Sequence, residues 1–166
     1  SQQEPRILTH FAILNKNEGA EEVQQAFIKG LDFHRQTAEM AGIDRRLAKT
    51  IGLGVMYGMG YKKLAVDLDI APKEAKDLMQ EFRDKVPFMQ GMLEAVMNKA
   101  NQVGTIRTEL GRKCRFDLYE PAWYDPGVFH KAMPLKQAQA EYGGNVKRAG
   151  TYKALNRLIQ GTAADQ

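Results

Sequence analysis

Residues 45 to 60 read RRLAKTIGLGVMYGMG, and within them Arg45, Lys49, Leu53 and Tyr57 recur at strict four-residue spacing. On an α-helix each step of four advances about 40° around the axis and about 6 Å along it. The four side chains therefore fall on one slowly spiralling stripe about 18 Å long. Two cations come first, an aliphatic residue follows and a ring ends the stripe. That order of charge, grease and ring parallels the order of triphosphate, sugar and base. Spacing alone has a plainer reading: Arg and Lys four apart on a solvated face, and Leu packed on Tyr at i,i+4. Gly52, Gly54, Gly58 and Gly60 argue against it. Each glycine within a helix costs about 1 kcal/mol relative to Ala. Four in or just beyond one helix imply close approach to its backbone, or bending.

Start signals agree. Asp44 is placed to cap this helix. Arg45 and Arg46 then occupy its first turn, against the helix dipole, and a bound anion at that end would relieve the conflict.

The chain has 166 residues, 43% of them hydrophobic, which suffices for a packed core. Lys and Arg number 24 against 20 Asp and Glu, a mild basic bias suited to a polyanion. Cys114 is the single cysteine and His10, His34 and His130 stand far apart, so neither a disulfide framework nor a Cys/His metal site is expected. No apolar run nears the roughly 20 residues of a membrane span, so no membrane partner is expected. The absence of an initiator Met and the stop at GTAADQ within a helical pattern suggest an internal piece of a longer protein.

Periodicity predicts a mainly α fold with a small β element (α+β). Residues 4 to 15 read as a strand end or loop passing into a helix. Helices are predicted over 19–29 (closed by Gly30), 32–41 (capped by Asp32), 44–59, 61–69, 72–85 and 88–101, with Val86-Pro87 separating the last two. Met89, Leu93, Val96, Met97 and Ala100 form the inward face of the last. Residues 104–119 alternate around a Leu-Gly break and read as a β-hairpin or a pair of short strands. Residues 120–143, with three prolines, Trp123, Tyr124 and a Gly-Gly at 143–144, read as irregular. Residues 145–164 read as a final basic helix.

Three blocks, in order, resemble one family, the family A DNA polymerases. SQQEPRIL at 1–8 is similar to the end of that family's motif A, RRLAKTIGLGVMYGMG to motif B, and NRLIQGTAAD at 156–165 to the helix that faces the primer–template. GTIRTELGRKCRF and LDFHRQTAEM carry weaker likenesses. The resemblance implies a division into a palm strip at 1–15, fingers helices at 16–103 with the nucleotide-binding helix at 44–59, a β-hairpin and irregular insertion at 104–144, and a helix facing the primer–template at 145–166.

It also implies roles. Arg45, Lys49 and His34 would meet the triphosphate of a dNTP, with Lys49 able to donate a proton to the leaving pyrophosphate. Tyr57 would lie beside the nascent base pair, Glu4 would exclude a ribose 2′-OH, and Gln2 would line the same pocket. Asn156 and Gln160 would contact the duplex through its minor groove, and Arg112 its backbone. The implied cofactor is Mg²⁺, with no protein ligand in this chain: one metal-binding aspartate would precede Ser1 by two residues and the other would follow Gln166. Residues 1–166 alone are therefore expected not to extend a primer, an expectation that template-dependent incorporation by the isolated fragment would overturn.

Leu53 departs from the family's usual Phe or Tyr, which implies altered sugar discrimination. With Pro5 and the 120–144 segment it points to a phage enzyme acting in the cytoplasm of its host, with a processivity factor as a possible partner. Two other readings remain open. One is a non-catalytic helical nucleic-acid-binding domain whose basic hairpin and last helix bind DNA; the other is a structural helical domain without a ligand. On either, Asn156 and Gln160 are a solvated face, Glu4 and Arg6 a surface pair, and His34 a structural residue.

Overall fold

The computed structural model describes residues 2–123 and 127–166. Ser1, which opens the first motif block, and Tyr124 and Pro126 of the segment expected to be irregular lie outside them. The fold is mainly helical. In chain order come α1 (Gln3–Leu14), α2 (Ala20–Ile28), α3 (Phe33–Ala41), α4 (Arg45–Met56), α5 (Tyr61–Leu68), α6 (Pro72–Lys85) and α7 (Pro87–Val103). Then follow β1 (Thr105–Arg107), β2 (Lys113–Arg115), β3 (Leu118–Pro121), β4 (Met133–Pro134), α8 (Leu135–Tyr142), β5 (Val146–Arg148), a 3-10 turn (Thr151–Lys153) and α9 (Ala154–Asp165). No described helix is long and apolar enough to cross a membrane.

The capping signals act as the sequence suggests. The Asp32 carboxylate accepts from the Arg35 amide at 2.9 Å, and Asp44 accepts from the amides of Arg46 and Leu47. Each satisfies donors that a helix start leaves without intrahelical partners. Gly30 takes a positive φ just past α2. Val86 leaves helical geometry and Pro87 opens α7, a position where its missing N–H costs nothing.

Helix α1 packs against α2, α7 and α9, while α7 also meets α4 and α6. The core between them holds Leu8, Val23, Ile51, Met56, Met89, Met92, Leu155 and Ile159, all fully buried. Aromatic contacts tie its layers together. Phe33 stacks on Phe27 at 5.9 Å between centroids and meets Phe88 edge-on at 6.2 Å. Met89, Leu93, Val96 and Ala100 face inward on α7 as expected; Met97 is only partly covered.

Three local expectations are corrected. Helix α1 runs from Gln3 to Leu14, so the stretch expected to start as a strand end or loop is helical from its first residue, with only the cap residue Gln2 described before it. Pro5 lies in its first turn, where no intrahelical amide donor is required. Residues 120–143 are not irregular throughout: β3 pairs antiparallel with β4 and with β5, and α8 crosses beside them. The chain thus has a second small sheet besides the β1–β2 hairpin. The last helix begins at Ala154 and not near 145, because Val146–Arg148 pairs with Tyr119–Pro121 and Gly150 turns the chain at φ 71°.

Candidate functional site

The first turns of α1 and α3, one face of α4 and Ala163 of α9 enclose a cleft of about 540 Å³. Arg45, Lys49, Leu53 and Tyr57 all line it, so the four-residue stripe faces one space. Gln2 and Glu4 enter from α1 and His34 from α3. All seven residues assigned to the nucleotide from sequence are thereby brought together. Tyr57 sits at the C-cap of α4, one residue beyond its last helical turn.

Two acids organise the ends of the cleft. At the cation end Asp32 accepts from Arg45 Nε at 3.0 Å and from Arg45 Nη2 at 3.1 Å. This side-on pair holds the Asp32 carboxyl below the usual carboxylate range and raises the Arg45 guanidinium. Gln2 joins it, donating from Nε2 to Asp32 at 3.5 Å and accepting the Phe33 amide at 3.2 Å. Asp32 and Asp44 thus place negative charge where two arginines oppose the dipole of α4. Sequence reasoning found Asp32 only as a helix cap, because its pairing with Arg45 crosses from one helix start to the next.

At the ring end the Tyr57 hydroxyl donates to Glu4 Oε2 at 2.6 Å. Chiefly through that bond, and through burial, the Tyr57 phenol is pushed up to about 12, while the Gln160 amide acts in the opposite direction. Between the ends, burial pushes the His34 imidazole down. Its Nδ1 is buried without a hydrogen-bond partner among the described residues. Lys49 is exposed and makes no ion pair or hydrogen bond among the described residues.

The expected DNA-facing residues are distributed differently. Gln160 reaches the neighbourhood of Tyr57, and Asn156 stands one turn earlier on the same helix. Arg112 is engaged by Asp165, whose side chain is only 6% exposed. The other oxygen of Asp165 accepts from the Thr108 hydroxyl at 2.5 Å, and the Glu109 amide donates to Thr162 Oγ1 at 3.3 Å. The turn between β1 and β2 is therefore docked on α9. Asp165 was not singled out from sequence, since nothing local links it to a residue 53 positions away.

Among the described residues no group of three or more His, Cys, Asp or Glu is placed to hold a metal ion. The carboxylates of the cleft are already engaged, Asp32 by Arg45 and Glu4 by Tyr57. These residues do not form a divalent-cation site.

Fold and cleft together define a mainly helical domain with two cations, an apolar residue and a ring ranged along a pocket. The sequence profile of DNA polymerase family A matches residues 1–166, and the chain belongs to that family. The DNA-directed DNA polymerase of Pseudomonas phage M6 is 30% identical over 209 residues, which cover 100% of this chain and 28% of the phage protein. The thermostable DNA polymerase I of Thermus aquaticus is 29% identical over 174 residues, covering 99% and 18%. Among solved structures, the POL domain of Pol1 from M. smegmatis, in complex with DNA primer-template and dNTP, matches with a TM-score of 0.71 at 29% identity. That match covers 99% of this chain and 26% of the other. The chain thus spans between 18% and 28% of the length of these proteins.

Proposed function

We propose that this chain is the part of a DNA-directed DNA polymerase that binds the incoming dNTP and the primer–template. The observation that carries the reading is the shared cleft: Arg45, Lys49, Leu53 and Tyr57 face one space with Gln2, Glu4 and His34. Phosphoryl transfer is catalysed largely by positioning and by charge placed on phosphate oxygens. Arg45 and Lys49 supply the charge at one end of the cleft. As the primer 3′-OH displaces pyrophosphate from the α-phosphorus, the Lys49 ammonium donates a proton to the leaving oxygen. Glu4, fixed by Tyr57, stands where a carboxylate would crowd a ribose 2′-OH. Gln160 and Asn156 are suited to the minor groove, whose acceptors are common to all base pairs. Arg112 is assigned to phosphate, with Asp165 holding its guanidinium.

Family A polymerases work with a divalent metal, and Mg²⁺ is the ion proposed here. The described residues offer it no ligand set, so no step of the mechanism is drawn through it. The phage relative supports a viral source, hence action in the cytoplasm of a host cell, and a processivity factor is a proposed partner.

Nucleotide binding tests the assignment. In the full-length polymerase, Lys49→Ala weakens dNTP binding while circular dichroism and melting stay those of the parent. A purely DNA-binding module predicts unchanged dNTP affinity. A second expectation concerns Leu53, which is only partly covered on the cleft wall. An aliphatic side chain there offers the sugar no ring face and no hydroxyl. Leu53→Tyr raises incorporation of dideoxynucleotides relative to deoxynucleotides by about tenfold, the scale of one added contact in a discriminating pocket. Equal ratios in parent and variant refute it.

A further inference from the structure

A small pocket of about 110 Å³ opens between α1, α7, β1 and α9, away from the residues assigned to nucleotide and duplex. Leu158 lines it, two residues from both Asn156 and Gln160 and so about 200° around α9 from each. From the end of α1 it takes Phe11 and Asn15, well past the first turn that enters the cleft. Its floor is apolar: Met92, Val96, Ile106 and Leu158 are all buried. The apolar surface runs on past the pocket. Val103 continues the α7 face that carries Val96 and Lys99 and is 64% exposed, and Leu14, next to Asn15, is 62% exposed. Apolar surface gathered in one place under a polar rim marks a contact site.

The rim decides the kind of contact. Lys99 and Arg107 line the pocket, and among the described residues no acid does. Arg107 donates only to the Gly111 carbonyl, at 3.1 Å, and Lys99 makes no ion pair or hydrogen bond among the described residues. Lys113 stands directly opposite Arg107 in the β1–β2 register. Like charges in that relation repel and destabilise a hairpin. The acids of this hairpin and of α9 are committed elsewhere: Glu109 to His10, at 3.3 Å, and Asp165 to Arg112 and Thr108. Three cations without an acid, beside an apolar pocket, ask for an occupant that is both anionic and apolar. A phosphodiester backbone supplies the charge and nothing for the pocket. A peptide with acidic side chains around one bulky apolar side chain supplies both.

We propose that this groove docks an acidic segment of a protein partner, which seats one bulky apolar side chain over Met92, Val96, Ile106 and Leu158 and sets its carboxylates against Lys99, Arg107 and Lys113. A pocket of this size admits a single such side chain. The rim charge therefore serves the encounter, and the anchor serves selectivity. The surface lies apart from the cleft, so a partner bound there leaves dNTP and primer–template access open. The inference does not depend on the roles assigned to Arg45 and Lys49.

Peptide binding to the full-length polymerase tests it. The probe is a short fluorescein-labelled peptide carrying one Phe flanked on both sides by Asp and Glu, and its control has Ala in place of that Phe. By anisotropy the wild type binds the Phe peptide about ten- to a hundredfold more tightly than the control, the scale of one buried apolar side chain. Added salt weakens both. Lys99→Glu weakens binding of the Phe peptide about five- to tenfold and flattens its salt dependence, as reversal of a rim charge does. Ala95→Leu fills the pocket from its half-buried wall without altering charge and removes the preference for Phe. Neither side chain is buried or lines the cleft, so both variants keep the parent's melting temperature and primer–template affinity. Wild-type protein that binds neither peptide, or binds both equally, overturns the proposal, as do variants that bind like the parent. A Lys99→Glu variant that keeps peptide binding and loses primer–template affinity also overturns it, and marks the surface as a DNA contact.

Discussion

Lys49→Ala lowers the rate of nucleotide incorporation by about 10²- to 10⁴-fold in the full-length polymerase, the range expected for loss of a positioned general acid. The size follows from where the side chain stands. Lys49 lies one turn past Arg45 on the same stripe and makes no ion pair or hydrogen bond among the described residues. Arg45, by contrast, already holds Asp32 in a two-pronged pair. Removing Lys49 thus takes away a charge not committed to a neighbouring acid, and truncation strands no buried partner. The fold is unaffected because the side chain is exposed. Single-turnover kinetics at saturating dNTP check the effect. A drop in kcat well beyond the rise in KM identifies a contact made in the transition state. If Lys49→Ala changed KM alone, the residue would be a binding contact and the proton-transfer role would fall.

The second large effect is on stability. Phe33→Ala destabilises the protein by about 3–5 kcal/mol, the usual loss for deleting a buried aromatic. Phe33 is 1% exposed and bridges Phe27 and Phe88, so it joins α2, α3 and α7 in one contact. The cavity it leaves lies directly beneath the start of α3. Asp32 and His34 flank it in sequence and both line the cleft. The variant should therefore lose dNTP affinity in parallel with its melting temperature. Phe33→Leu, which refills much of the volume, recovers most of both. Full dNTP affinity in a strongly destabilised Phe33→Ala would show that the cleft does not depend on this packing.

The elements legible in the sequence are those whose causes are local. Asp32 and Asp44 announce two helices through their own side chains, and Val86-Pro87 marks a break that chemistry enforces. The cleft was legible for a related reason. Four of its residues share one helix face and could be read from their spacing; Gln2, Glu4 and His34 came only from the resemblance, and they stand at the starts of α1 and α3. What sequence did not reveal depends on distant pairing. Residues 118–121 become a strand because Tyr119 meets Arg148 and Leu118 meets Pro134. Strands of two to four residues carry too little alternation to be read locally. The hold of Asp165 on Arg112 is hidden in the same way.

Asp32 closes the first turn of α3, grips Arg45 and touches Gln2 of the approaching α1. Each employment asks something different of one side chain. Capping asks for a short acceptor, gripping a guanidinium asks for two charged oxygens, and the amide of Gln2 asks for a spare lone pair. Asn keeps the cap and gives up the charge. Glu keeps the charge on a longer stem that no longer folds back on its own helix start. Position 32 thus has almost no mutational neighbours that preserve all its duties, although it is an unremarkable aspartate at the edge of the cleft.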